Sequence, residues 1–99
     1  MSLKKNYLKS KPVCKVTFNF PKDYYPQAKS VELAGTFTDW QPLKMRKVKE
    51  GFTRTIDLPV ASDQEFRYRI NGEIWENDHE ADRYVATGVD LSENSVVSV

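Results

Sequence analysis

Two tryptophans stand in polar surroundings in this chain. Trp40 lies between Asp39 and Gln41, with Phe37 three positions before it and Pro42 closing the segment. An indole among polar loop residues either folds back as a core plug or presents a flat, amphipathic ring to a ligand. Trp75 follows the dipeptide Asn71-Gly72, a strong reversal signal that brings it back beside Arg67 and Arg69. Other groups with chemical potential are weaker. Glu73, Glu76, Asp78, Glu80 and Asp82 surround His79, the single histidine. Paired carboxylates can hydrolyse glycosides and oxygen-rich loops can hold calcium. The segment, however, reads as an extended loop in a chain too small for a glycosidase cleft, and its spacing does not match an EF-hand. His79 has no placed nucleophile, and Cys14, the single cysteine, has no Cys/His set around it for zinc. Lys44, Arg46, Lys47 and Lys49 form a basic run without interleaved aromatics, which reads as a solvated edge strand.

Composition narrows the function classes. Ninety-nine residues make one domain with one modest core, and 39% hydrophobic content suits a globular chain. Fifteen basic residues against 14 acidic give a net charge of +1. No global field draws in nucleic acid or an anionic membrane, and neither is expected as a partner. A lone cysteine favours a reducing compartment. The basic start lacks the apolar stretch of a signal peptide, and no run approaches the roughly 18 apolar residues of a membrane span. The expected location is cytoplasmic.

The elements that must position the tryptophans are strands. Residues 13–20 alternate strictly, with Cys14, Val16, Phe18 and Phe20 on one side and Lys15, Thr17 and Asn19 on the other. On that apolar side Cys14 serves as a small hydrophobe. Val31 and Leu33 mark a strand ending at Gly35. Residues 43–48 read as a poorly alternating strand, and a Lys49-Glu50-Gly51 turn leads into residues 52–58. There Arg54 breaks the apolar face and is expected near a sheet edge. Phe66, Tyr68 and Ile70 turn inward from the next strand, which sets Arg67 and Arg69 on its solvated face. Residues 77–88 read as polar and irregular, anchored by Tyr84 and Val85. A last strand carries Val97 and Val99 inward. Residues 1–11, with Lys4, Lys5, Lys9 and Lys11, read as a loosely ordered basic arm ahead of a domain spanning residues 12–99. About seven short strands and no convincing helix predict an all-β, immunoglobulin-like sandwich of two packed sheets.

The motifs carry a resemblance. Val31-Glu32-Leu33-Ala34-Gly35-Thr36-Phe37-Thr38-Asp39-Trp40 resembles the strand and "G-x-F-N-x-W" segment of glycogen-binding modules. These are the early-set domains found before the catalytic barrel of isoamylases and branching enzymes, and in the β subunit of AMP-activated protein kinase. Phe66-Arg67-Tyr68-Arg69-Ile70-Asn71-Gly72-Glu73-Ile74-Trp75 resembles that family's "Y-K-F-x-V-D-G-x-W", with one extra residue before the tryptophan relative to the kinase-subunit pattern. Asn94-Ser95-Val96-Val97-Ser98-Val99 resembles its closing "N-N-x-I-x-V", and residues 75–84 look like the short, stand-alone bacterial members. The likeness covers residues 12–99.

It implies a non-catalytic module without cofactor or metal that binds α-1,4-glucan, as glycogen or maltooligosaccharide. Trp40 and Trp75 fall on the family's stacking platforms, Arg67 on its hydrogen-bonding lysine and Asn94 on its sugar-binding asparagine. Ser92 falls near its threonine. Where the family has a leucine threading the bent glucan, this chain has Asp90, or Leu91 if the loop is shifted. The physical case agrees. Glucose rings offer apolar C–H faces to indoles and hydroxyl edges to guanidinium and amide groups. A second implied reading keeps the fold without the sugar: the aromatic face docks on a glycogen-metabolising enzyme or on a second copy of the chain.

Overall fold

The computed structural model describes residues 2–88 and 92–99. Its strands are β1 (Leu3–Tyr7), β2 (Val13–Pro21), β3 (Val31–Gly35), β4 (Leu43–Lys44), β5 (Arg46–Val48), β6 (Gly51–Pro59), β7 (Asp63–Ile70), β8 (Ile74–Glu76), β9 (Arg83–Ala86) and β10 (Glu93–Ser98). One sheet has the order β1-β2-β6-β5. The other runs β4-β3-β7-β10-β9, with β8 also paired to β7. Every pairing is antiparallel. The molecule is the expected all-β, immunoglobulin-like sandwich.

Alternation explains the core. Cys14, Val16, Phe18 and Phe20 of β2 are sealed, as are Phe66, Tyr68 and Ile70 of β7. Their rings meet between the sheets: Phe18 on Phe66 and Phe20 on Tyr68, both edge-on with centroids 5.0 Å apart. Each such ring stabilises the fold by about 1.5–3 kcal/mol through burial alone. Cys14 is a free, buried thiol. Because β7 lies inside its sheet with a full inner face, its outer face is a rigid base for whatever stands on it.

Four expectations need correction. The sequence offers about seven strands; the described residues hold ten. Residues 3–7 of the supposed arm form β1, paired along β2 from Leu3 opposite Phe18 to Tyr7 opposite Cys14. The single buried Leu3 is too faint an apolar signal to show this. Lys5 reaches from β1 to Asp82 at 2.7 Å, so a residue that reads as solvated ties this edge to the other sheet's side of the molecule. The stretch 43–48 is two strands, because the chain changes sheets at Met45. β4 pairs with β3, β5 pairs with β6, and the Met45 side chain is sealed between. A strand that switches sheets cannot keep one alternation. Residues 77–88 hold β9, paired with β10. Tyr84 is exposed there and anchors through its hydroxyl, which donates to the Asp78 carbonyl. Arg54 lies beyond the end of the β5–β6 ladder, where its Nη1 donates to the Lys44 carbonyl at 3.0 Å.

Candidate functional site

Gly35 begins the construction. A Cβ there would stand 2.4 Å from the Glu65 carbonyl oxygen and 2.8 Å from the Phe37 ring. Only glycine lets β3 pass this close to β7. Thr36–Thr38 then makes one 3-10 turn. The Thr38 hydroxyl donates to the Gly35 carbonyl at 3.0 Å, and the Trp40 amide donates to the same carbonyl at 2.9 Å. Thr36 Oγ1 donates to Gln64 Oε1 at 2.6 Å and accepts from the Glu65 amide at 3.2 Å, which fastens the turn to β7. Asp39 and Trp40 are left-handed, with φ of 53° and 60°. That conformation costs a residue with a Cβ about 1–2 kcal/mol, and the bonds to Gly35 offset it. The result separates the loop's aromatics. Phe37 turns inward and stacks on Phe18 at 5.5 Å, while Trp40 faces outward and is 38% exposed. Of the two readings of Trp40, the core plug belongs to Phe37.

Trp75 is placed by ladder register. Asn71 and Gly72 have φ of 54° and 74°, and the Glu73 amide donates to the Ile70 carbonyl at 3.1 Å. This tight reversal sets Trp75 opposite Arg69 on the outer face of the sheet. The Arg69 guanidinium lies 5.8 Å from the indole centroid. It is itself held by Glu32, with Nη2 at 2.7 Å and Nε at 2.9 Å from Oε1.

Arg67 stands between the two rings, opposite Ala34 of β3. Its Nε donates to Asn94 Oδ1 at 2.6 Å, and Asn94 Nδ2 donates to Glu65 Oε1 at 3.0 Å. Among the described residues the two terminal amino groups of Arg67 have no protein partner, so they are available to an acceptor outside. Trp40, Arg67, Trp75 and Asn94 together line one shallow depression of about 330 Å³. That is the small end of ligand sites, and too open to enclose a molecule.

Ser92 pairs with Thr87 across the β9–β10 loop, their hydroxyls 3.2 Å apart, and is not among the residues lining the depression. Asp90 and Leu91 lie outside the described residues. Asp78 belongs to the fold: it is buried and takes bonds from the Tyr68 hydroxyl at 2.6 Å, the Ser2 hydroxyl and the Glu80 amide at 2.7 Å. Burial, then the Asp78 charge, pushes the Tyr68 hydroxyl well above the ordinary tyrosine value, so it remains a donor. His79 stacks on Tyr24 with centroids 3.9 Å apart. Among the described residues no group of three His, Cys, Asp or Glu side chains could hold a metal.

Nothing in the sequence marks Glu32 or Glu65 as part of this site. Register around Asn71-Gly72 puts Arg69 opposite Trp75, where the sequence already places it beside that ring. Glu65 orients Asn94 across a ladder to β10, which no local pattern reveals. Two other depressions among the described residues lack exposed aromatic rings. One of about 590 Å³ runs beside the β4–β5 crossing, lined by Lys29, Lys44, Arg46, Lys47 and Arg54 over Met45 and Phe52. Another of about 300 Å³ lies at Phe20, Gly51 and Phe52. The tryptophan shelf, unlike these two, joins flat apolar surface to outward donors.

No curated protein matches the chain. A family model does: residues 14–98 match the one described as the glycogen recognition site of AMP-activated protein kinase, a span from β2 to the last residue of β10. With its motifs, its sandwich and nearly its whole length accounted for, the chain belongs to that carbohydrate-binding family.

Proposed function

We propose that this protein is a non-catalytic module that binds α-1,4-glucan, as glycogen or maltooligosaccharide, on the shelf formed by Trp40, Arg67, Trp75 and Asn94. The observation that carries the reading is the convergence of two exposed indoles, a guanidinium and an amide on one shallow depression. Membership of a glycogen-recognition family supports the ligand class. The chemistry fits. Two indoles offer apolar surface to the C–H faces of glucose rings. The terminal amino groups of Arg67, without a partner among the described residues, give a planar pair of donors to vicinal hydroxyls. Asn94 is already held by Arg67 and Glu65, so it fixes the guanidinium as much as it offers its own remaining capacity.

An open shelf buries little of its ligand, so binding is weak, with a Kd of about 10⁻⁴ M, or about −5.5 kcal/mol. Isothermal titration with maltoheptaose measures it. Saturable heat in that range supports the reading; no heat at millimolar sugar overturns it.

A further inference from the structure

β8 and β10 lie end to end along one edge of β7. β10 pairs with Asp63–Phe66 and β8 with Tyr68–Ile70. No ladder joins them to each other among the described residues, yet β8 carries Trp75 and β10 carries Asn94. What links them is a set of side-chain bonds just beyond Trp75. The Asp78 amide donates to Ser95 Oγ at 2.8 Å. Ser95 Oγ donates to Asn77 Oδ1 at 2.8 Å, and Asn77 Nδ2 donates to the Glu93 carbonyl at 2.9 Å. The segment leaving β8 therefore grips β10 on both sides of Asn94.

The grip is itself fixed from below. Ser95 and Asp78 are buried, so water cannot replace their bonds. The Asp78 carboxylate is anchored to β7 through the Tyr68 hydroxyl, and to the segment before β1 through Ser2. Among the described residues its charge meets no lysine or arginine at bridging distance, only hydroxyl and amide donors. No buried side-chain nitrogen or oxygen among the described residues lacks a partner. A polar network in a core is costly unless complete, and an apolar contact would hold two strands together as well. What hydrogen bonds add is fixed distance and direction.

We propose that Asn77 and Ser95 are positioning residues of the shelf: their clasp sets where Trp75 stands relative to Asn94 and, through Asn94, to Arg67. This rests on the glucan-binding reading for its effect on affinity, but not for its effect on the ring. In the free protein, Asn77→Ala and Ser95→Ala displace and broaden the Trp75 indole Nε1–H resonance while leaving that of Trp40 in place. Both lower maltoheptaose affinity about tenfold at temperatures well below their melting points. Asn77→Asp, which keeps the acceptor for Ser95, recovers part of the loss. Folded variants with an unmoved Trp75 resonance and wild-type affinity would overturn the proposal, even with a lowered Tm. Asn77 is only half-buried, so its variant decides the matter if Ser95→Ala fails to fold. Should the wild-type protein bind no glucan, the sugar reading fails alone, and the sugar-free Trp75 resonance still tests the clasp.

Discussion

The two tryptophans are nearly equally exposed, at 38% and 43%, and are held outward by opposite means. Trp40 is placed by backbone. A glycine that admits close packing, a cinched 3-10 turn and two left-handed residues aim its ring. Trp75 is placed by pairing and side chains: a hairpin register, the Arg69 guanidinium and the bonds of Asn77. One side of the shelf is therefore sensitive to conformational strain and the other to loss of polar contacts. Arg67, on the strand between them, is oriented by its bond to Asn94.

Removing a ring tests the shared role and carries the largest effect. Trp40→Ala and Trp75→Ala should each cost about 2 kcal/mol or more of maltoheptaose binding, roughly 30-fold in Kd. Melting temperatures should change little, because both rings are well exposed. Equal losses mean one shared site; a loss at only one ring would split the shelf. Gly35→Ala strikes the Trp40 side alone. Its Cβ collides with the Glu65 carbonyl oxygen at 2.4 Å, and β3 or the turn must shift. Thermal unfolding should show a loss of roughly 1–3 kcal/mol, with the Trp40 resonance displaced and that of Trp75 retained. Arg69→Gln strikes the Trp75 side alone and more gently. Losing the cation over the ring is worth about 0.5–1 kcal/mol, a few-fold in Kd, and leaves Glu32 without its ion pair. A larger effect at Trp40 than at Trp75 from this substitution would contradict the division of labour.

Legibility followed the same division. The sandwich, the inner faces of β2 and β7, and the outward setting of Arg67 were readable because each rests on alternation within one strand. Trp75 was readable because Asn71-Gly72 fixes a register. β1 was hidden because an edge strand buries one leucine and leaves Lys4, Asn6 and Tyr7 exposed. β4 and β5 merged because the chain crosses between sheets at Met45, where no single period applies. Asp78 looked like one acid in a solvated cluster. Only the fold shows that hydroxyls from distant parts of the chain converge on it. The roles of Glu65 and Asn77 had the same obstacle, since their partners on β10 are long-range.

The chain contains two tryptophans, so it gives two indole Nε1–H resonances, one for each side of the shelf. Titrating isotope-labelled protein with maltoheptaose therefore reads the central claim directly. Both resonances should shift together and saturate with one Kd near 10⁻⁴ M. Two stationary resonances at millimolar glucan, or two that move with different midpoints, would contradict a single tryptophan shelf for the polymer.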